Sequence, residues 1–351
     1  MNAGAIWWGQ IGNSLRLLTK VTNNLRDCQS TVLQVPSSIP WQQNFYEAID
    51  IRRSAFSGER RLVRLLWEEN SDPGEFVLAD LCSKATQAEY WPGLTYAEYL
   101  ASLDDIVLND YYVWITGIHS KRDLVKWVEF LTQYTQHADQ LEQHAIFVLE
   151  YDGVQTDVSG VEKVVYSVEN YDCRVFCLEA AATLCNTNLH AYQAELALCI
   201  GGNNPELNSA LLEKGDKLLL DPVATATDVM TSGYSSDGMP FAVDPEQKIS
   251  SAAWKAAIGL LFPILEQYRL DFISDHERTL ARHLPISNSN GDRITDPYDL
   301  EIGAIQYIVG SAQKEFTPLE VENIRLCRKA RNLLAHNKPV PYADVKRILE
   351  L

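Results

Sequence analysis

The sequence is poor in positive charge. Its 351 residues include 30 Lys and Arg against 47 Asp and Glu, which gives a formal net charge of −17. A surface this acidic repels nucleic acid and anionic membranes, so that any site for a polyanion must be a local one. Hydrophobic residues make up 46% of the chain, which is enough for a sizeable core and excludes the disordered and low-complexity classes. The length predicts two or three domains.

Cysteine pairs with metal-binding spacing are also missing. The cysteines are odd in number, scattered, and without a CxxC pair, which argues against a disulfide scaffold and a zinc ribbon. The histidines show no metal-ligand spacing such as HExxH, so neither a metal site nor a cofactor is predicted. The seven cysteines are Cys28, Cys82, Cys173, Cys177, Cys185, Cys199 and Cys327.

A targeting segment and a membrane span are not recognisable either. The first residues lack the basic region and the long apolar core of a signal peptide. The most apolar later stretch, Ala252 to Leu265, contains Lys255 and Pro263 and is too short to cross a bilayer. We therefore expect a cytoplasmic protein with reduced thiols and no membrane partner.

Short apolar segments alternate with helical patterns as far as about residue 170. This alternation predicts a mainly parallel sheet covered by helices on both faces, with strands at 30–35, 75–79, 111–116, 145–151 and 164–168. Beyond residue 170 only helical patterns follow, apart from a long loop or linker predicted at 221–245 and a surface loop at 288–296. We expect an α/β domain over 1–170, a helical connector and linker over 171–245, and an all-α helical bundle over 246–351.

Two glycines precede the first amphipathic helix, in the segment Gly9-Gln-Ile-Gly12-Asn13-Ser14. Glycines at a helix N-terminus can bind phosphate through backbone N–H groups, and a Ser hydroxyl can bind a magnesium ion. Gly12 and Ser14 fit such a loop, but Asn13 occupies the position of the required Lys, and the spacing from Gly9 is short. A helix capped by Asn13 or Ser14 also explains the pattern.

Residues 1–150 resemble a P-loop ATPase of the AAA/STAND type in the order of glycine segment, helix and apolar strands. Glu150 and Asp152, at the end of the strand predicted at 145–151, match the position of a Walker-B acidic pair. The resemblance implies a P-loop-like fold and a nucleotide site at the glycine segment. Because the Lys is missing, we expect a degenerate domain with a structural or regulatory role and no ATP hydrolysis.

The segment NIRLCRKARNLLAHNKPV near the C-terminus has a distinct two-sided pattern. At about 100° per residue its apolar residues fall on one side of a helix, and its basic and polar residues on the other. Residues 321–351 contain seven Lys and Arg against three Asp and Glu. A phosphate backbone could be held here, by Arg325, Arg328 and Lys329. Arg331 lies at the edge of the apolar side, which predicts partial burial beside an acidic or aromatic partner.

The residues RNLLAH, from Arg331 to His336, match the RxxxxH motif of the HEPN superfamily, and the helical segments from about residue 249 resemble its bundle. The resemblance implies a dimeric, metal-independent ribonuclease with Arg331 and His336 as catalytic groups and Asn332 as their polar partner. An Arg can stabilise charge on the scissile phosphate, and a His can exchange protons with the ribose 2′-OH or the leaving oxygen. In one continuous helix the two side chains would point about 140° apart, so the helix must end between them.

Both halves together predict a regulated endoribonuclease of toxin or antiphage-defence type, which acts on RNA as a homodimer or within a larger complex. In an alternative interpretation, Arg331 and His336 only stabilise the helix C-terminus. The protein would then be a noncatalytic scaffold subunit of a prokaryotic defence or nucleic-acid-processing complex. On an earlier helix, Glu266 and Arg269 are spaced to form an ion pair, either on an ordinary solvated face or as a further polar part of the site.

Overall fold

A computed structural model describes residues 2–35, 38–56, 60–69, 71–103, 106–138, 144–184, 189–287 and 291–351. The chain forms two compact units, an N-terminal unit over 2–172 and a C-terminal unit over 173–351. The first contains a parallel sheet and the second is mostly helical, which confirms the predicted order of an α/β region and an all-α region. The segment 171–245, expected as a connector, belongs almost entirely to the same compact unit as the predicted bundle.

A five-stranded sheet forms the centre of the N-terminal unit. Its strands are β1 (Thr31–Gln34), β2 (Arg61–Leu66), β3 (Tyr111–Ile118), β4 (Ile146–Tyr151) and β5 (Glu162–Val165). They lie in the order β2-β3-β4-β1-β5, and all neighbouring pairs are parallel. β1 and β4 are buried along their whole length, as expected for continuous apolar strands at the centre of a parallel sheet.

Helices cover both faces of this sheet. They are α1 (Ala3–Gln10), α2 (Gly12–Arg26), α3 (Gln42–Ser54), α4 (Pro73–Leu81), α5 (Lys84–Ala88), α6 (Tyr96–Ser102), α7 (Ile106–Asn109) and α8 (Lys121–Ala138). On the face of α4, α6 and α8, the rings of Trp67 and Trp127 lie 5.1 Å apart. On the face of α1, α2 and α3, Phe45 contacts both Trp8 and the strand residue Trp114. Large buried aromatic rings therefore fill both layers of the core.

The predicted strand at 75–79 is wrong, because this segment is part of α4. The side chain of Asp72 accepts hydrogen bonds from the backbone N–H groups of Gly74 (2.9 Å) and Glu75 (3.0 Å), and Pro73 occupies the first helical position. These are helix-start signals that override the short apolar run. The edge strand β2 was not recognised, since arginines interrupt its apolar residues.

The C-terminal unit begins within α9 (Asn170–Leu184) and contains mostly helices. The others are α10 (His190–Gly201), α11 (Pro205–Leu212), α12 (Asp216–Leu220), α13 (Pro222–Ser232), α14 (Glu246–Ala281), α15 (Ile302–Ser311), α16 (Pro318–Ala335) and α17 (Tyr342–Ile348). A short hairpin of β6 (Ile286–Ser287) and β7 (Arg293–Ile294) and two 3-10 turns (Pro297–Asp299 and Gln313–Glu315) complete it.

Two predicted loops of this unit contain regular structure. The expected linker at 221–245 contains α13, which begins where the Asp221 side chain accepts the N–H of Ala224 (3.0 Å) and Pro222 takes the first helical position. The expected surface loop at 288–296 contains β7, and its first three residues lie outside the described part of the chain. Cys173 and Cys177 are buried, whereas Cys185 also lies outside the described residues.

Helix α14 is 36 residues long and spans the C-terminal unit. Among the described helices it alone is long and apolar enough to cross a membrane by length and composition, because the helix extends well beyond the apolar stretch 252–265. It packs against α10, α13 and α16, where Ala257, Leu261 and Ile273 are buried. A core helix passes the same test, so this one helix does not identify a membrane protein. Its backbone leaves helical geometry at His276, which marks a kink.

Candidate functional site

The RNLLAH motif lies at the C-terminal end of α16. This helix begins with a capping box, in which the Thr317 hydroxyl accepts the N–H of Glu320 (3.3 Å) and the Glu320 carboxylate accepts the N–H of Thr317 (2.7 Å). The predicted apolar side is buried against the unit and consists of Ile324, Leu326, Cys327, Ala330 and Leu334. The opposite side, which carries the basic residues, is therefore left to solvent.

The end of α16 is a tight backbone turn. Asn337 takes a left-handed conformation (φ 54°), its N–H donates to the carbonyl of Leu334 (3.3 Å), and the N–H of Lys338 donates to the carbonyl of Leu333 (2.9 Å). This pair of bonds is the Schellman arrangement that commonly ends helices. Backbone N–H groups, including that of His336, thus satisfy the last carbonyls of the helix.

The helix ends between the first and the last residue of the motif. Arg331 is still helical and its side chain is 37% exposed, with Nη2 3.4 Å from a carboxylate oxygen of Glu301. This is the acidic partner and the partial burial expected from the sequence. Asn332 is exposed on the last turn, and His336 is exposed at the C-cap position. The ring of His336 has no hydrogen bond to the described part of the chain.

A groove of about 940 Å³ runs along α16 beside the motif. Arg331 and Asn332 line it, whereas His336 does not. The remaining lining residues come from the β6–β7 hairpin, the following turn, α15 and α16, and are Ile286, Ser287, Asp292, Arg293, Ile294, Asp299, Glu301, Ile302, Gly303, Ala304, Tyr307 and Arg328. A single copy of the chain therefore presents part of the motif in the groove and the rest of it outside.

The groove carries both signs of charge. Three arginines line it together with three acidic residues, namely Arg293, Arg328 and Arg331 with Asp292, Asp299 and Glu301. Of the three predicted RNA contacts, Arg328 lines the groove and donates to the Gln306 side chain (2.7 Å). Lys329 is exposed and pairs with Asp344 (2.7 Å), and Arg325 is exposed with no partner among the described residues. The basic side of α16 is thus partly neutralised.

The predicted ion pair of Glu266 and Arg269 is present on α14. The Arg269 side chain is only 16% exposed and also donates to the carbonyls of Leu300 (2.9 Å) and Tyr298 (3.3 Å). It thereby ties the 3-10 turn before α15 to the long helix. Through this turn Arg269 supports the wall of the groove, but its side chain does not line the groove.

His276, at the kink of α14, makes a contact that the sequence does not reveal. Its ring forms a cluster with those of Phe272 (4.6 Å) and Phe316 (5.2 Å), which also stack on each other at 5.7 Å. Nε2 of His276 is 2.8 Å from the carboxylate of Glu320. Burial alone would raise the pKa of Glu320, but the hydrogen bonds from Thr317 and His276 outweigh it and lower the pKa. The contact joins residues 44 positions apart, and no local pattern predicts it.

The glycine segment of the N-terminal unit is helical. Gly9 lies within α1 and Gly12 is the first residue of α2, so that Ile11 alone separates the two helices. The segment therefore lacks the glycine loop in which several backbone N–H groups could converge on phosphates. It also precedes β1 by the whole length of α2. The expected glycine turn is thus wrong, and nucleotide binding at this segment stays a prediction without a phosphate loop to support it.

Asn13 and Ser14 lie in the first turn of α2 and hold it to the end of the sheet. The side chain of Asn13 donates to the carbonyl of Ser167 (2.7 Å). Ser14 is fully buried, with its hydroxyl 3.5 Å from that of Tyr166. Ile11 occupies the N-cap position, and its side chain makes no capping hydrogen bond. Neither Asn13 nor Ser14 therefore caps the helix, and the predicted cap is wrong.

Glu150 of β4 is buried among hydrogen-bond donors. Its carboxylate accepts from Trp114 Nε1 (2.8 Å), the Tyr46 hydroxyl (2.9 Å) and the Gln42 amide (3.3 Å). Burial raises the pKa of Glu150, and the three hydrogen bonds offset that rise only in part. Burial and the nearby carboxylate also raise the pKa of Tyr46. Asp152, the second acid, instead pairs with the exposed His119 (2.7 Å), so the two acids do not form one site.

No model of a known protein family matches the chain, and no curated protein matches it in sequence. Among the described residues, no three His, Cys, Asp or Glu side chains are arranged so that they could hold a metal ion. The function is therefore inferred from the residues and the geometry of the site itself.

Proposed function

We propose that the C-terminal unit is a metal-independent endoribonuclease of HEPN type, with Arg331, Asn332 and His336 as its catalytic centre. The observation that carries this proposal is the accessibility of all three side chains at the end of α16. Because backbone N–H groups satisfy the last carbonyls of the helix, a capping role does not explain why a His and an Arg occupy these positions.

The reaction requires two proton transfers, one from the attacking 2′-OH and one to the leaving 5′ oxygen. His336 takes the proton from a ribose 2′-OH, whose oxygen attacks the adjacent phosphorus, and the bond from phosphorus to the 5′ oxygen breaks. The leaving 5′ oxygen takes up a proton from water, and His336 returns its proton to water, so that the products are a cyclic phosphate and a free hydroxyl. Arg331 stabilises the charge that develops on the phosphate oxygens, and Asn332 holds the phosphate by a hydrogen bond.

A second copy of the chain completes the proposed centre. Arg331 and Asn332 line the groove while His336 lies outside it, so one copy does not bring the three residues into a single cavity. A two-fold axis near the end of α16 would place two motifs in one cleft. We propose an RNA-cleaving homodimer of toxin or antiphage-defence type, in which the α/β unit has a regulatory role.

A noncatalytic interaction protein is the second candidate. It is favoured by the acidic residues of the groove and by the pairing of Arg331 with Glu301, which reduce the attraction for a phosphate backbone. In that case the groove would bind a protein segment, and the whole chain would act as a scaffold within a defence or nucleic-acid-processing complex.

The test is RNA cleavage by the full-length chain in EDTA, with sedimentation to establish the oligomeric state. We expect wild type to cleave, and His336→Ala and Arg331→Ala to lose about 10²-fold or more of the rate while remaining folded and associated. His137→Ala, an exposed histidine of the other unit, is the matched control and retains the rate. Equal inactivity of wild type and variants over a broad RNA panel would favour the scaffold.

A further inference from the structure

A second pocket of about 270 Å³ lies in the C-terminal unit, directly beyond the end of α16. Its walls come from α10, α12, α13, α14, α17 and the segment that follows the motif. They are formed by Tyr192, Leu219, Leu220, Pro222, Val223, Ser250, Ala253, Trp254, Ala257, Asn337, Pro339, Val340, Pro341 and Tyr342. An engineered cavity of about 150 Å³ holds benzene, so this pocket has room for a molecule of two rings.

The sequence of α14 creates this space. Ser250, Ala253 and Ala257 recur at helical spacing and place small side chains on one face of the helix. Trp254 stands beside them, and its indole N–H donates to the carbonyl of Leu334 (2.8 Å). This hydrogen bond fixes the ring at the pocket wall.

Tyr192 supplies a polar group without a partner. The residue is 5% exposed and lines the pocket, and its hydroxyl has no hydrogen bond to any residue that the structure describes. Burial raises the pKa of Tyr192 to about 12, so the hydroxyl is a neutral donor at physiological pH. The hydroxyl oxygen itself stays accessible, so it can donate to a ligand or a water molecule in the pocket.

The pocket adjoins the proposed catalytic centre. Asn337, which lines it, follows His336 directly in the chain, and its side chain adds an amide with both donor and acceptor groups. Pro339 and Pro341 fix the backbone of the next wall. Lys338, between these residues, is exposed, and its positive charge suits a phosphate next to a bound ring.

We propose that this pocket binds a planar heteroaromatic ring of the size of a purine base. RNA-binding proteins hold single-stranded bases in sites of this kind. The base stacks on aromatic side chains, and a few polar groups form hydrogen bonds with its edge. The ring can belong to a free nucleotide or to a base of the RNA that the motif cleaves, and the second source rests on the proposed function. In that case the pocket selects the base next to the scissile phosphate.

Titration calorimetry with adenine and with AMP on the full-length chain tests the pocket. We expect one adenine bound per chain, about five- to tenfold weaker binding in Tyr192→Phe, and no detectable binding in Ala253→Leu, which fills the pocket. Tyr234→Phe changes an exposed tyrosine outside the pocket and leaves binding unchanged. Absence of adenine and AMP binding in wild type, or unchanged binding in both pocket variants, would overturn the inference.

Mapping the cleavage sites on RNA distinguishes the two sources of the ring. If the occupant is an RNA base, Tyr192→Phe changes the distribution of cleavage sites relative to wild type and Tyr234→Phe. If adenine binds but the distribution stays the same, the occupant is a free nucleotide and the RNA assignment is wrong. A chain that binds adenine and cleaves no RNA would overturn the proposed nuclease and leave the ring site standing.

Discussion

Two polar sites, one in each unit, differ in how completely the protein satisfies them. Glu150 is buried in the N-terminal unit and accepts three hydrogen bonds from protein donors. The side chain of His336 in the C-terminal unit is exposed, and its ring has no hydrogen bond within the described residues, although it belongs to an equally distinct sequence pattern. An acid at the end of a buried strand and a His at the end of a helix therefore have opposite surroundings.

This difference distinguishes polar groups that are already bound within the protein from polar groups that can bind a ligand. A buried carboxyl with several donors is already bound by its own protein, so that a ligand would have to displace those donors at a cost. The exposed ring of His336 can bind a ligand without such a loss, and Arg331 would give up only its ion pair with the exposed Glu301. The comparison predicts that changes at Glu150 alter stability, whereas changes at Arg331 or His336 alter function.

The largest stability change is expected for Glu150→Ala. The substitution leaves the Trp114 N–H and the Tyr46 hydroxyl without an acceptor in a buried site, and it opens a cavity. We expect the free energy of unfolding to fall by about 2–4 kcal/mol. Urea unfolding followed by tryptophan fluorescence measures it, because seven of the eight tryptophans lie in the N-terminal unit.

Glu150→Gln is the matched control for this change. The amide oxygen can still accept from Trp114 and Tyr46, which share one carboxylate oxygen, and only the longer bond from Gln42 to the other oxygen is lost. The volume is also kept, so we expect a loss of less than about 1 kcal/mol at neutral pH. If Glu150→Ala were as stable as wild type, the hydrogen-bonded site would contribute nothing to folding, and the contrast between the two sites would be lost.

A pH dependence of stability follows from the raised pKa of Glu150. The folded chain binds a proton at this carboxyl at pH values where the unfolded chain, with a pKa near 4.5, has already lost it. The contribution to the free energy of unfolding is therefore present below pH 4.5 and falls as the pH rises toward the raised value, by at most about 1.4 kcal/mol per pH unit. Urea unfolding at several pH values should show this slope in wild type and not in Glu150→Gln.

Much of the fold could be predicted from the sequence, and the errors have physical causes. The continuous apolar runs at 111–116 and 145–151 predict β3 and β4 because both faces of a parallel sheet are buried. The run at 75–79 looks similar, but the cap formed by Asp72 and Pro73 makes it a helix. Signals at the ends of an element thus decided between helix and strand where periodicity alone was ambiguous.

The candidate site could be predicted only in part. The polar side of α16 and the acidic partner of Arg331 follow from helical spacing and composition. The contact of His276 with Glu320 and the pocket at Tyr192 join residues far apart in sequence, and no pattern within one element encodes them. The prediction of a phosphate-binding turn at the glycine segment was wrong for a local reason, because glycines that suit a loop are also tolerated in a helix.

A smaller loss of stability is expected for Asn337→Ala. Asn337 has a φ of 54°, where an Ala side chain is strained and Asn or Gly is tolerated. We expect Asn337→Ala to lower the free energy of unfolding of the C-terminal unit by about 1 kcal/mol, and Asn337→Gly to leave it close to wild type. Urea unfolding followed by circular dichroism compares the two variants, and equal stability of both would contradict the backbone argument.

The smallest effect on stability is expected for His336→Ala. The ring is exposed and makes no hydrogen bond to the described residues, so its removal should change the free energy of unfolding by less than about 0.5 kcal/mol. Trp254, the one tryptophan of the C-terminal unit, donates to the carbonyl of Leu334 and reports on the same helix end. If His336→Ala lost more than about 1 kcal/mol, the ring would be supporting the helix end after all. A loss of RNA cleavage in that variant could then follow from structural damage, and only a loss of cleavage at unchanged stability assigns His336 to the reaction.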